Sequence, residues 1–368
     1  NKITVLCKDT ASAAFFVSMS TIIMSLLNWG LGLVFGAILA RQVGEHALKN
    51  NINLNYPLIG ASGYSGLMVW HGGMSGSIPL KVAEKNHFSD IIQNDNLLNK
   101  LPENGINFDA TIFSSMNIAA TLLLLIIIPL TLYYLGKKQS NAKPFKFKQN
   151  DHKTEAQKTI IGAEKIDYSN WFSKFIGISI ICIAIKQGLT ANSLSFINPN
   201  FINLALLGFA ISTHKNLHEF LLAINKSITS ASGILIQFPL YFGIMGIMNS
   251  SGLVDIFANF FVTISNEVTY PIFTMISGGL VNIFVPSGGG QWAVQGPIVL
   301  QSAIDIGVAL PKSIMALAYG DQLTNMLQPF WALPLLGITQ LKAKDILPYT
   351  MIIMLIGVCI FSSCLILF

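Results

Sequence analysis

The sequence predicts an all-α, polytopic membrane protein with two inverted repeats, each built from a re-entrant hairpin and an interrupted helix. The first observation is composition: 52% of the 368 residues are hydrophobic and 11% are charged, whereas soluble domains carry about 25% charged residues. The second is a set of apolar runs near the roughly 20 residues that a membrane span requires: residues 110–134, 171–189, 228–248 and 346–368. The third is the order of elements, which repeats in the two halves.

The first repeat is predicted over residues 1–136. Residues 11–40 are apolar but interrupted at Asn28-Trp29-Gly30, so each arm is too short to span and a re-entrant hairpin is expected. Polar residues 41–55 follow. Residues 57–80 contain six glycines, which predicts a helix broken near His71. A polar loop with five acidic residues leads to the span at 110–134.

A lysine-rich loop, residues 137–168, separates the repeats, and the second repeat occupies residues 169–368. It begins with spans at 171–189 and 201–212, an amphipathic stretch at 214–226, a span at 228–248 and a surface helix at 253–264. A hairpin is predicted over residues 270–306, a helix broken around residues 320–325 within 311–336, and a final span at 346–368.

Charge and register indicate that the two repeats are inverted. A shift of 254 residues aligns Asn28 with Asn282 and His71 with Asn325. Eight lysines lie between residues 137 and 165, and lysine-rich loops face the cytoplasm. With that loop inside, the two hairpins open on opposite sides. The first hairpin is preceded by almost nothing, so we expect the N-terminal scaffold helices to be missing from this chain.

Paired interruptions of this kind predict a transport site near the bilayer midplane. In the segment from Pro286 to Trp292, three consecutive glycines are expected to free the backbone from helical geometry, and their N–H groups would attract a carboxylate. A tight turn packed on a neighbouring helix is the alternative. The predicted substrate-binding residues are Asn28, Trp29, Gly30, Gly72, Gly73, Ser75, Asn282, Ser287, Gly288, Gly289, Gly290, Gln291 and Asn325.

Four polar residues at the helix breaks are predicted to handle a coupling ion: His71, Asp321, Gln322 and Thr324. Ionisable groups inside spans are costly and usually functional, and histidine titrates near physiological pH. A structural histidine bonded to a carbonyl and an aspartate that caps a half-helix are the alternatives. Neither a metal nor another cofactor is expected; the coupling ion is H⁺ or Na⁺.

Two other function classes are weighed and set aside. The net charge of +5 is concentrated in one loop, so no nucleic-acid partner is expected. Three overlapping G-x-S-G matches, starting at Gly60, Gly63 and Gly73, fit the nucleophile pattern of intramembrane serine proteases. Overlapping small residues of this kind are more typical of helix packing, so we expect no enzymatic activity.

Several strings of the sequence resemble the bacterial short-chain fatty acid transporter family: PSGGGQWAVQGP from Pro286, AYGDQLTNMLQPFWALP from Ala318, QFPLY from Gln237 and NWGLG from Asn28. The resemblance implies a multi-pass protein of the bacterial inner membrane that takes up butyrate- or acetoacetate-like monocarboxylates. It also implies membership of the ion transporter superfamily, a homodimer and elevator-like alternating access. An anion exchanger or ion antiporter of the same superfamily is the alternative. Proton symport, sodium symport and facilitated diffusion all fit.

Overall fold

The structure, a computed structural model, describes residues 2–92, 95–138, 145, 147, 162–190 and 199–368. Every regular element within those residues is helical. The chain divides into two compact units, Asn1–Lys148 with Gly233–Phe368, and Gln149–Ser232. Among the described helices, four are long and apolar enough to cross a membrane: Thr10–Leu27, Ser115–Lys138, Asn170–Leu189 and Ala343–Leu367.

The apolar segment at residues 11–40 forms two helices. After the short α1 (Lys2–Leu6), α2 (Thr10–Leu27) and α3 (Trp29–Lys49) meet at Asn28, whose backbone is extended (φ −154°, ψ 127°). The two helices pack closely at Gly32, because a Cβ at that position would collide with the Ser25 side chain. The polar segment expected at residues 41–55 is helical as far as Lys49. An ion pair between Arg41 and Glu45, which lie one turn apart, supports this part of the helix.

The region of the first predicted interrupted helix contains α4 (Tyr56–Tyr64), a 3₁₀ turn (Ser65–Met68) and α5 (Ser77–Val82). Asn55 caps α4 by accepting a hydrogen bond from the Leu58 N–H, 3.3 Å away. The break between Met68 and Ser77 contains His71 and the glycines of the Trp70–Ser77 segment. The helical stretches before and after His71 are therefore separated by residues 69–76.

The acidic loop folds against the protein and contains α6 (His87–Ile91) and α7 (Asp95–Leu98). Apolar residues of the loop, including Phe88 and Ile106, share one buried cluster with Trp292 and Leu317. The loop is therefore held on the protein by burial of apolar surface, which its charge pattern did not indicate.

The two long helices α8 (Ser115–Lys138) and α18 (Ala343–Leu367) are apolar on all sides. In α8, Leu124 and Ile128 are buried, whereas Leu122, Ile126 and Leu130 are exposed on the opposite face. Exposed leucine and isoleucine at that spacing would be unfavourable in water and is expected against lipid.

The second unit contains α9 (Glu164–Asp167), α10 (Asn170–Leu189) and α11 (Pro199–Thr213). Helices α10 and α11 approach closely at Gly177 and Gly208, and the Ser173 hydroxyl donates a hydrogen bond to the Ile211 carbonyl, 3.1 Å away. Small residues at such a crossing are typical of packed membrane helices.

The stretch at 214–226 and the span at 228–248, predicted as separate elements, form one helix, α12 (Leu217–Ser250), which contains Pro239. Their separation was wrong because the polar residues before 228 do not stop the helix. The surface helix that follows is α13 (Leu253–Thr263).

The second hairpin region consists of α14 (Tyr270–Phe284) and α15 (Gly288–Ile306). One expectation about it was wrong: Gly288, Gly289 and Gly290 do not lie outside helical geometry but form the first turn of α15. Ser287 supplies the reason, because its side chain caps that turn by accepting from the Gly290 N–H, 3.2 Å away. The interruption is confined to residues 285–287.

The second interrupted helix consists of α16 (Leu310–Thr324), a 3₁₀ turn (Asn325–Leu327) and α17 (Pro329–Thr339). The break was predicted at residues 320–325, but α16 continues through Asp321 to Thr324. The physical cause lies at Pro329, which restricts the preceding Gln328 to extended backbone (φ −85°, ψ 120°). Each half thus has two helices meeting at a short interruption, an interrupted helix and a long helix.

Candidate functional site

The centre of the candidate site is a buried pair, His71 from the first helix break and Asp321 from α16. The side chains are 0% and 1% exposed, and His71 Nδ1 lies 3.5 Å from Asp321 Oδ1. The Ile78 N–H donates to His71 Nε2 at 3.1 Å. Because that nitrogen accepts a hydrogen bond, the ring is neutral and its proton is on Nδ1, facing the carboxylate.

Gln322, the neighbour of Asp321, fixes the backbone at this pair. Its side-chain oxygen accepts from the His71 backbone N–H at 3.0 Å. The first break and α16 are therefore joined by a second contact beside the pair. Asp321 Oδ2 and His71 Nδ1 are both buried without a hydrogen-bond partner, which leaves one acceptor and one donor of the pair available to a proton or a ligand atom.

The N-terminus of α15 lies against this pair at Gly288. A Cβ on Gly288 would be 2.8 Å from His71 Cε1 and 3.3 Å from Asp321 Oδ2, so only glycine permits the approach. The first N–H groups of a helix have no intrahelical acceptor, and the helix dipole favours negative charge there. The α15 N-terminus therefore supports a carboxylate at this position.

Asn282 organises the second break. Its side-chain nitrogen donates to the Asp321 carbonyl at 2.8 Å, Thr324 Oγ1 at 2.9 Å and Asn325 Oδ1 at 2.9 Å. Asn325 in turn donates to Asp321 Oδ1 at 3.3 Å. Sequence reasoning missed Gln328, which donates to the Asn282 carbonyl. Asn282, Thr324 and Asn325, predicted for substrate and ion binding, hold Asp321 and the end of α16 in place together with Gln328.

The tip of the first hairpin packs on the first helix break. Asn28 is exposed and caps α3 by accepting from the Leu31 N–H at 2.9 Å. The Trp29 N–H donates to Ser75 Oγ at 2.9 Å, and a Cβ on Gly73 would lie 2.7 Å from the Leu26 carbonyl oxygen. Gly30, one residue further, is half-buried. This tip is therefore in direct contact with the break that carries His71.

Trp70 connects the two hairpin tips. Its ring lies 6.0 Å from the Trp29 ring and stacks on the His71 ring at 4.2 Å. Since His71 contacts Gly288, the two tips reach adjacent residues of one break.

At three other predicted residues the structure shows open space or a partner outside the buried pair. A Cβ on Gly289 would have no atom within 4 Å. Gln291 turns toward α14, where its side-chain nitrogen donates to the Gly278 carbonyl at 2.8 Å. Gly72 is covered by Asn117, which donates to the Gly72 carbonyl at 2.8 Å. Asn117 was missed, although an amide inside the run at residues 110–134 is a visible signal.

A cavity of about 260 Å³ lies at the other end of α3, lined by residues that include Gly44, Ile52, Tyr56, Phe145 and Phe147. None of the predicted site residues contributes to it. Within the residues that the structure describes, no group of three or more His, Cys, Asp or Glu side chains is placed to hold a metal ion.

Comparison with known proteins gives one consistent result. The family model "Short chain fatty acid transporter" matches residues 1–368. A candidate short-chain fatty acid transporter of Escherichia coli (strain K12) is 34% identical over 98% of this chain and 79% of its own length. Its counterpart from Haemophilus influenzae is 35% identical over 94% of this chain and 76% of its own length.

Among solved structures, the YdaH transporter of Alcanivorax borkumensis resembles this chain with a TM-score of 0.50 and 14% identity. The match covers 98% of this chain and 80% of that one. At this identity the likeness concerns the fold alone.

Proposed function

Because the chain belongs to the short-chain fatty acid transporter family, we propose that it is a secondary transporter of butyrate- or acetoacetate-like monocarboxylates across the bacterial inner membrane. The proposal includes two inverted repeats with re-entrant hairpins, a homodimer and elevator-like alternating access. The observation that carries it is the buried His71–Asp321 pair, in contact with a helix N-terminus suited to a carboxylate.

The α15 N-terminus can stabilise one negative charge at a time. In the structure Asp321 Oδ2 is the carboxylate oxygen beside Gly288. When Asp321 takes up a proton, its charge disappears and the free N–H groups of Gly288 and Gly289 become available to the solute carboxylate. Two carboxylates sharing one site seldom ionise together. Proton and solute would therefore bind together, as in proton symport.

Neutral His71 supports this role of Asp321. Its Nε2 is held by the Ile78 N–H, so the ring keeps its proton on Nδ1 and presents a donor to Asp321. An ionised Asp321 attracts that N–H, 3.5 Å away, more strongly than a protonated Asp321 does. The ring thus links the charge state of Asp321 to the geometry of the first break. Ser287 adds to the site by capping the helix whose N–H groups would hold the solute.

Uptake of labelled butyrate into proteoliposomes tests the proposal. We expect an inward proton gradient to drive uptake in the wild type and Asp321→Asn to abolish it. Asp305→Asn is the matched control, because Asp305 is an exposed acid of α15 bonded to Gln301 at 2.8 Å. Unchanged uptake by the Asp321 variant would remove the pair from the mechanism. Uptake driven by a sodium gradient alone would replace the proton as the coupling ion.

A further inference from the structure

Asn117, in the first turn of α8, makes three hydrogen bonds with its side-chain amide. Its Nδ2 donates to the Gly72 carbonyl at 2.8 Å and to the Ile112 carbonyl at 2.7 Å, and its Oδ1 accepts from the Tyr319 hydroxyl at 3.0 Å. Asn117 is 2% exposed. The orientation of the amide is fixed, because a flipped amide would place its oxygen against two carbonyl oxygens.

Two of these partners are close neighbours of the buried pair in the sequence. Gly72 directly follows His71 in the first break, and Tyr319 lies two residues before Asp321 in α16. The segments that carry the two ionisable groups are therefore anchored to one amide of a third element, α8.

The anchored segments are also closely packed. A Cβ on Gly72 would collide with Asn117 Oδ1, so the backbone of the first break lies directly against the amide. The Tyr319 side chain is fully buried, and its ring stacks on Phe361 of α18 with the centroids 4.2 Å apart. Movement of either segment away from Asn117 would leave buried polar groups without a partner, which is unfavourable.

The distance within the pair indicates what this anchoring maintains. The His71 Nδ1–H faces Asp321, but the nitrogen and the carboxylate oxygen are 3.5 Å apart, beyond the range of about 2.7–3.2 Å for an N–H···O hydrogen bond. A donor and a carboxylate that were free to move would approach to about 2.7–2.9 Å. Because both segments are bonded to Asn117, they cannot close this gap without straining or breaking a bond to the amide.

We propose that Asn117 is a positioning residue of the transport site, which holds His71 and Asp321 just beyond hydrogen-bond distance and so determines the pH at which uptake proceeds. The inference rests on the proposed function and identifies the residue that sets its proton step. A donor that reached the carboxylate would stabilise the ionised form, so that protonation would require a lower pH.

Other charged groups on the surrounding helices lie at helix ends. In α5, α8, α15, α16 and α18, the charged side chains other than Asp321 are all in a first or last turn: Lys81, Lys137, Lys138, Asp305, Lys312, Lys344 and Asp345. The Tyr319 hydroxyl donates to Asn117 rather than to the carboxylate. A change in the pH dependence of uptake on substitution of Asn117 therefore reports on the pair.

The pH dependence of uptake tests the inference. Initial rates of labelled butyrate uptake into proteoliposomes are measured over a range of external pH at a constant pH difference across the membrane, and the rates of protein-free liposomes are subtracted. We expect Asn117→Ala and Tyr319→Phe each to lower the external pH of half-maximal uptake by about one unit, the effect of one new hydrogen bond to a charged group.

Tyr270→Phe is the matched control. It removes an equally buried hydroxyl, whose partner is the Val299 carbonyl at 2.8 Å, and should leave the midpoint unchanged. Tyr319→Phe removes a single oxygen atom, so the inference stays testable where Asn117→Ala is poorly folded.

The failures of the two proposals are distinguishable. A midpoint that keeps its wild-type value in the folded variants, with only the maximal rate lowered, would mean that Asn117 is merely structural. A midpoint that rises would mean that Asn117 does not hold the two groups apart. Either result overturns the inference and leaves proton-coupled transport standing. Wild-type uptake that does not respond to the proton gradient refutes the proposed function, and the inference with it.

Discussion

Replacing Gly288 by alanine tests the contact between the α15 N-terminus and the buried pair. The added Cβ would be 2.8 Å from His71 Cε1, 3.2 Å from His71 Nε2 and 3.3 Å from Asp321 Oδ2. Carbon atoms pack at about 3.5–4.0 Å, so either the helix or the imidazole ring must move by at least ~0.7 Å. The Ile78 hydrogen bond to Nε2 restrains the ring, which makes movement of the helix the expected response.

Overpacking of this kind costs about 1–3 kcal/mol, equivalent to roughly fivefold to a hundredfold in an equilibrium constant. We therefore expect Gly288→Ala to lower the initial rate of labelled butyrate uptake in proteoliposomes by a factor in that range. Protein content after reconstitution is measured in parallel, so that a loss of folded protein is separated from a loss of transport.

The adjacent residue provides the matched control. A Cβ on Gly289 would meet no atom within 4 Å, and alanine is favoured over glycine inside a helix by up to about 1 kcal/mol. Gly289→Ala should therefore retain uptake and unfold at the same or a higher temperature. Equal losses in the two variants, or full activity of Gly288→Ala, would refute the packing argument, because steric contact is the property that separates them.

Two further outcomes are expected. Asn282→Ala should lower the thermal midpoint in detergent, since it removes one donor from three buried acceptors and each unpaired group costs about 1–3 kcal/mol; an unchanged midpoint would contradict this. Burial lowers the pKa of His87 below its ordinary 6.5, although Glu84 opposes the shift, and the Trp292 indole donates to its neutral Nε2 at 2.9 Å. The unfolded chain binds this proton first, so stability is full above about pH 6.5 and declines as the pH falls toward the lower folded pKa. His87→Phe should flatten that decline between pH 7 and 5, and an unchanged profile would exclude His87 as its source.

The lengths of the apolar runs and the positions of helix-breaking residues predicted most of the helices, because both are local properties of the sequence. The interruption at Asn28 is an example: an amide in an apolar run both ends one helix and caps the next. Prediction was wrong where the local signal had two meanings. Three glycines suggested non-helical backbone, but Ser287 before them converts the same residues into the first turn of a helix. At the second break, Gln328-Pro329 ends the helical backbone, whereas Gly320 lies within α16.

The composition of the site was harder to predict than its location. Asp321 and His71 were each recognised as ionisable groups inside apolar segments, yet their 3.5 Å approach joins residues 250 positions apart and depends on how the helices pack. For the same reason the partners Asn117 and Gln328 were missed.

The two interrupted helices are bonded to each other. The Tyr64 hydroxyl donates to the Asn325 carbonyl at 2.8 Å, and the His71 backbone N–H donates to the Gln322 side-chain oxygen at 3.0 Å. All these groups are buried, so pulling the helices apart would strand several donors and acceptors at about 1–3 kcal/mol each. A gate that opens along this seam would therefore be slow and costly. Moving both helices together would leave both of these bonds intact.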